Sequence, residues 1–440
     1  MKPKVVVMGG GYAGMAAAVV LSASGCQVNV FEAGKRLGGR ARQVTWHGHH
    51  LDNGQHILLG AYTTLLGLMA FVDPDEHLAL KALPLTWDMH GKVNLSANPL
   101  LGRAGTLLAL LTAKGFNLRD KMGILSKLVQ TRFSSRSAPD GPVSDWLRGQ
   151  TDNSICYFWE PLCLAALNTP IHLASSRIFK SVILDGLLAG ANASRMLLPK
   201  VNLSALWPEK AAVFVAKHDG KMFLAEKVKH LQCDADGFTL ITSKQALSAD
   251  AVVCAVGPHQ LADLDLPHEL SSAVDHVSAF AYQPIRTVYV QYAETASLPK
   301  PVHGLHHCIE NGICHWVFDR GQLTGEHGLL AVVISAEHRQ HASPKEELES
   351  KVIQELKAFF PELPTPLWAK SILETRATFQ ADVALPRPDG KTSNARFAFA
   401  GDYIESPYPA TLESAARSGV VAANRLATTL GLNVPEHFKI

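Results

Sequence analysis

The sequence predicts an α/β protein of two domains, each assembled from separated stretches of chain. Three observations carry this. A β-branched run, Val5-Val6-Val7-Met8, leads into a glycine turn and a helix of small residues. A second strand, turn and helix, Arg396 to Leu426, stands near the other end. Between them Ala251 to Pro258 reads as a strand buried on both faces, the kind a parallel sheet requires. The 440 residues amount to about three average domains' worth of chain. Charged residues make up 18% and hydrophobic ones 47%, which excludes disordered, collagen-like and coiled-coil classes. The 41 basic and 39 acidic residues leave a net +2, with no electrostatic footprint for nucleic acid. Seven scattered cysteines form no disulfide framework or paired zinc spacing, which suits a reducing compartment.

The first element holds a trap. Val5 to Phe31 carries no charge and invites a signal-peptide or membrane-span reading. Three consecutive glycines, Gly9 to Gly11, make a poor spanning helix, whereas strand, turn, helix and second strand explain the same residues. Gly9-Gly10-Gly11-Tyr12-Ala13-Gly14 is a GxGxxG turn. In such a turn Gly9 permits the tight bend, Gly11 admits backbone N–H groups to a pyrophosphate, and Gly14 lets helix and strand pack closely. Ala16 to Leu21 continues the helix and Gly25 stops it. Gln27 to Phe31 is the second strand, and Glu32, 18 positions after Gly14, is placed to accept hydrogen bonds from an adenosine ribose. These parts predict a Rossmann-like dinucleotide site, its phosphates at the positive end of the helix.

The next residues choose among dinucleotides. Glu32-Ala33-Gly34-Lys35-Arg36-Leu37-Gly38-Gly39-Arg40 sets a cationic loop beside the pyrophosphate, with Arg40 suited to phosphate and Arg36 to ribose or phosphate. This segment resembles the GG-motif flavoproteins: amine oxidases, protoporphyrinogen oxidase and carotenoid desaturases. It departs from them at Gly34, where several relatives carry a basic residue. The resemblance implies FAD, held non-covalently, because the last cysteine is Cys314 and the usual flavin-linking cysteine lies near the C-terminus. It also implies that Gly39 belongs to the phosphate loop and that Val228, in a small β-meander, binds adenine through its backbone. Gly401-Asp402 then binds the ribityl-phosphate side. The helix beginning at Leu412 aims its N-terminus at the flavin pyrimidine ring, favouring the negative charge of a reduced flavin.

Two further phrases narrow the resemblance. Asp52 to Tyr62, and Trp159 to Pro170 with Ala174-Ser175-Ser176 and Phe179 to Asp185, are similar to the hydroxysqualene dehydroxylases, squalene-associated FAD-dependent enzymes of bacterial hopanoid pathways. The likeness runs nearly end to end. It implies Gly54 near the flavin, a long apolar isoprenoid substrate, and an electron donor that the sequence does not identify. The reaction implied is reductive loss of an allylic hydroxyl to give squalene. The implied location is cytoplasmic, with peripheral contact on the inner face of the cytoplasmic membrane as an option. On this reading the FAD-binding domain comprises 1–70, 203–265 and 385–440, and a mixed α+β substrate domain comprises 71–202 and 266–384. Protonating a hydroxyl in a dry pocket requires a general acid within hydrogen-bond reach. His56 is ranked first, followed by Glu160, Asp185 and Glu413, the last equally suited to favouring a helix N-terminus. Two rivals share the scaffold: a desaturase-like or amine-oxidase-like enzyme running oxidation, and a flavin-free prenyl-lipid binder, against which the retained Glu32, Arg40 and Asp402 argue.

The first excursion, about 70 to 200, is rich in leucine and poor in acid. Its uncharged run Ala104 to Ala113 is too short to span a bilayer. It fits a core helix or an apolar lip on a membrane, flanked by Lys114, Arg119, Lys121 and Lys127. His306-His307-Cys308 and Cys314-His315 invite a zinc reading, but adjacent strand residues point to opposite faces, so no metal is expected. No GxSxG elbow supports a serine nucleophile. Ser134 to Pro142 is the best loop candidate.

Overall fold

Five short strands packed into one parallel sheet organise one half of the molecule. Their order is Lys221–Leu224, Gln27–Glu32, Lys4–Met8, Ala251–Cys254 and Phe397–Phe399. The computed structural model describes residues 2–98, 102–134, 139–235, 237–305, 312–336 and 345–439. Val5, Val7, Val252, Val253 and Phe397 are buried, because layers cover both faces of the sheet. One layer is helical: the first helix, Tyr12–Ala23, lies against the last, Leu412–Thr429. On the other face sit the antiparallel strands Val228–Cys233, Phe238–Thr242 and Ala246–Ala249. The α/β class predicted from the sequence is the one observed, and the uncharged start resolves into strand, helix and strand. The strand Lys221–Leu224 at the sheet edge was not anticipated.

Small residues let the two long helices touch. A methyl group on Gly419 would lie 2.1 Å from the carbonyl oxygen of Ala13. Thr411 and Ser414 close a reciprocal capping box at the start of the last helix.

The second half is built on a seven-stranded sheet ordered Trp368–Phe379, Tyr282–Gln291, Leu329–Ser335, Trp316–Asp319, Val302–Gly304, Thr86–Met89 and Val93–Ser96. Its pairs are antiparallel except Val302–Gly304 with Thr86–Met89. Helix Lys345–Phe359 is packed on it through Leu348, Val352 and Leu356. A helical layer contains Gly102–Thr112, Leu118–Phe133, Glu160–Leu167 and Ser176–Val182 around a core of Trp87, Phe158, Trp159 and Phe179. Two single π-helical turns interrupt this layer, Ile155–Trp159 and Ile183–Leu187; such turns often mark functional sites.

Some expectations shift or fall elsewhere. The strand expected from Cys314 begins at Trp316, and the Cys314 N–H goes to the Glu355 carboxylate instead. His306 to Cys308 and the centre of the Ser134–Pro142 loop lie outside the described residues. Among the described residues no cluster of three metal-ligating side chains occurs, and no helix is long and apolar enough to cross a membrane. Cys26, Cys163, Cys233, Cys254 and Cys314 are free thiols.

Candidate active site

One cavity of about 1020 Å³ joins the two halves. It lies at the top of the roughly 300–1,000 Å³ range of small-molecule sites. At one end its wall is Gly9, Gly11, Glu32, Arg36, Gly39 and Arg40, joined by Val228, Gly401, Asp402 and Leu412. At the other it is apolar: Leu162, Leu164, Val182, Ile183, Trp316 and Phe318 among others. Gly54, His56, Asp185 and Glu413 also face it, whereas Gly14 and Glu160 do not.

The glycines divide by what they permit. Gly9 adopts φ +105°, and a methyl there would lie 2.6 Å from the Ala255 carbonyl oxygen. A methyl on Gly14 would lie 1.9 Å from the Gly9 carbonyl oxygen, so Gly14 serves the approach of helix to strand and has no need to face the cavity. Gly11 is different. A methyl there would meet nothing nearer than Gly39 Cα at 3.8 Å. Packing does not demand glycine at that position; what its absence of side chain preserves is room in the cavity, enough for a phosphate to approach the backbone.

Glu32 is fixed by Gly10 N–H (2.8 Å) and Gly34 N–H (2.6 Å). A Cβ at residue 34 would lie 3.0 Å from Glu32 Oε1, so a side chain there would require the carboxylate to shift by a few tenths of an ångström. Arg36 reaches Gln43 and Thr45. Arg40, from the first signature, pairs with Asp402, from the second, at 2.5 Å and also donates to the Ala377 carbonyl. Burial disfavours charge on Arg40, but Asp402 and Glu374 outweigh it and raise its pKa. His259 Nδ1 and the Tyr403 hydroxyl are buried beside this pair without a hydrogen-bond partner among the described residues. Polar atoms left so on a cavity wall fit a polar ligand. The donor set, the phosphate-sized cradle and the Glu32 carboxylate together fit a dinucleotide.

The four acid candidates part company. His56 donates from Nδ1 to the Gly54 carbonyl at 3.0 Å, which leaves Nε2 as an acceptor. Burial holds its pKa below the ordinary imidazole value, so His56 is neutral at pH 7 and is no ready proton donor. Both carboxylate oxygens of Glu413 accept backbone N–H groups, from Thr64 at 3.0 Å and Leu65 at 2.9 Å. It ties the start of the last helix to that of helix Thr63–Val72. Glu160 is half-buried, and burial raises its pKa, but its helix turns Leu162, Leu164, Ala165 and Ala166 to the cavity instead. Asp185, on the π turn, accepts from the Tyr408 hydroxyl at 2.8 Å, and both side chains line the cavity.

Sequence reading missed Tyr408, and with it Arg387. The Arg387 guanidinium donates to the carbonyls of Asp402, Tyr403, Ile404, Ser406 and Tyr408. It thereby holds the whole loop between Gly401 and the last helix. Burial lowers its pKa to about 10, still charged at neutral pH. A lone arginine in a proline-flanked segment gives no pattern by which to find it.

The fold, the paired signatures and the cavity define a flavoprotein oxidoreductase. The chain belongs to the flavin-containing amine oxidoreductases, whose family model matches residues 12–427. FAD is its cofactor, and the protein is an FAD-dependent oxidoreductase. It is 27% identical over 451 residues to the hydroxysqualene dehydroxylase of Rhodopseudomonas palustris, covering 96% of this chain and 98% of the relative. It is 24% identical over 480 residues to the zeta-carotene desaturase of Synechocystis, covering 96% and 97%. Among solved structures, an oxidoreductase from Methanosarcina mazei superposes with a TM-score of 0.71 at 18% identity, covering 96% of this chain and all of the other. Cyclohexylamine oxidase from Brevibacterium oxydans superposes with a TM-score of 0.69 at 17% identity, covering 98% and 100%.

Proposed function

We propose that this protein removes the allylic hydroxyl of hydroxysqualene reductively, giving squalene. The observation that carries the proposal is one continuous cavity, in which a dinucleotide-type wall runs into an apolar one and the Asp185–Tyr408 pair faces the space. Three curated hydroxysqualene dehydroxylases, each matched over nearly full length, support the substrate. The balance is one proton to the leaving oxygen and one hydride to carbon, with water and squalene as products. FAD, when reduced, supplies the hydride.

The chain's own residues do the rest. Asp185 delivers the proton to the substrate hydroxyl. The Tyr408 O–H, already pointed at Asp185 Oδ2, stabilises the carboxylate left behind, an interaction that strengthens as charge develops. Neutral His56 offers Nε2 as an acceptor to orient that hydroxyl. Leu162, Leu164 and Ile183 exclude water from the polyene chain. Arg40 and Asp402 bear on the cofactor, as does the start of the last helix.

The test is an anaerobic single turnover of the chemically reduced protein with hydroxysqualene, following visible flavin absorbance and the lipid product together. Flavin reoxidation with squalene formation is expected. The Asp185→Asn variant is expected to keep its FAD and lose about 10²–10⁴ in rate. A wild-type protein that leaves the alcohol untouched but oxidises a polyene would overturn the proposal in favour of desaturation.

A further inference from the structure

Thirteen large apolar side chains stand exposed among the described residues, and seven of them crowd into the two helices Gly102–Thr112 and Leu118–Phe133: Leu107, Leu108, Leu111, Leu118, Met122, Val129 and Phe133. Leu118 is 74% exposed and Phe133 83%. On the second helix the four fall at spacings of 4, 7 and 4, within about 60° of one another at 3.6 residues per turn. The opposite side of that helix buries Ile124, Leu128 and Thr131 against the protein. It therefore has two apolar faces, and packing explains only the inward one.

Charge says what meets the outward face. Residues 102–133 hold six basic residues, Arg103, Lys114, Arg119, Lys121, Lys127 and Arg132, against one acid, Asp120. Asp120 is buried and bound to Asn117, Thr151 and Asn153, so it faces nothing outside. This segment is +5 by that count, six minus one, in a chain whose total is +2. Lys114, Arg119 and Arg132 are exposed, and on the helical wheel Arg119 and Arg132 flank the apolar stripe on either side.

We propose that this helix pair is a docking surface for an anionic lipid bilayer, its apolar stripe set into the acyl boundary and its basic flanks against the headgroups. An apolar stripe bordered by Lys and Arg is the physical pattern of an interfacial helix. A protein partner recognised by the same face would have to be acidic and apolar at once. The placement suits substrate delivery as well, a point that rests on the function proposed above. Helix Leu118–Phe133 packs on the π turn Ile183–Leu187, and Ile183, Asp185 and Leu187 line the cavity. A lipid-soluble isoprenoid would thus pass from the bilayer into the cavity at its apolar end.

The experiment is vesicle co-sedimentation of the FAD-loaded protein, with phosphatidylcholine vesicles alone and with phosphatidylglycerol added. Binding is expected on the anionic vesicles only, falling by about fivefold for each basic contact removed and falling with salt. Leu118→Glu with Phe133→Glu is expected to weaken binding at least about tenfold, since each side chain would otherwise bury apolar area in lipid, while flavin absorbance and Tm stay unchanged. Binding that is equal on neutral vesicles, unaffected by these two substitutions, or absent would overturn the proposal. A dimer in size-exclusion chromatography that these variants convert to monomer, with no vesicle binding, would overturn it in favour of a second copy of the chain. Vesicle binding that survives when hydroxysqualene is left unreacted would leave this surface standing and sink only the reaction.

Discussion

Single side chains decide how the loop before the last helix is held, and Arg387 is the clearest. All its hydrogen bonds go to backbone carbonyls of residues 402–408, so its loss would free Asp402 and Tyr408 together. Lys presents three donors from one point where Arg presents five in a plane. Arg387→Lys is therefore expected to lower FAD retention after gel filtration at least about tenfold, with a few kcal/mol of stability lost; full flavin content in a folded variant would show the loop is held by other means. Asp52 makes a prediction of opposite sign. Its carboxyl is buried, and desolvation lifts its pKa from 3.8 to about 6 despite the N–H of Leu203 and the charge of Arg320. Between those values the folded protein holds a proton that the unfolded chain has released, so stability falls as pH rises through the window and the full cost is present at neutral pH. Asp52→Asn keeps an acceptor for Leu203 N–H, at 2.9 Å in the parent, and removes the charge. A gain of up to about 3 kcal/mol is expected at pH 8, shrinking to nothing below pH 4, as read by thermal unfolding. A loss at pH 8 would mean that attraction to Arg320 outweighs desolvation.

Elements were legible where their own residues dictate them. The run Val5 to Met8, the GxGxxG turn, and the small-residue faces of the first and last helices all declare themselves locally, and each is found where its pattern lies. The strand Lys221–Leu224 was missed because it is four residues at a sheet edge with a burial that does not alternate. The Asp185–Tyr408 contact was invisible for a different reason: its partners are 223 residues apart, and nothing in either segment refers to the other. The π turns were equally hidden from a reading of the sequence. Close helix contact, by contrast, leaves a mark that can be tested. Gly419 sits where the last helix crosses the first, with Ala13 and Ala16 against it. Gly419→Ala drives a methyl into the Ala13 carbonyl and is expected to cost about 1–3 kcal/mol or more as overpacking, although alanine is the better helix former. Val421→Ala, two residues along and half exposed, is the control and should change stability by less than about 0.5 kcal/mol. If Gly419→Ala proved neutral in denaturant unfolding, the helices would have to separate easily, contrary to the packing found here.

At the scale of the whole molecule, the chain is laced together by contacts between distant segments. Arg40 and Asp402 are 362 residues apart, Asp52 and Tyr289 are 237, and Tyr12 and Leu203 are 191. The seven-stranded sheet takes two strands from before residue 100 and five from after residue 280. Neither half is a continuous piece of sequence, so neither can close its sheet until the other's segments are in place. The cavity lies across the same join, and its wall takes residues from six of the seven strands of this sheet as well as from the glycine turns of the other half. FAD, bound by the folded chain and not by the unfolded one, must then stabilise the assembly as a unit. At free FAD a hundredfold above its dissociation constant the gain is about 2.7 kcal/mol, which for a chain of this size is a rise on the order of 3–5 °C in Tm. Calorimetry of the FAD-stripped protein across an FAD titration should show one transition moving upward as a whole. Two transitions, of which FAD moves only one, would mean that the halves fold separately and that the long-range contacts join finished domains.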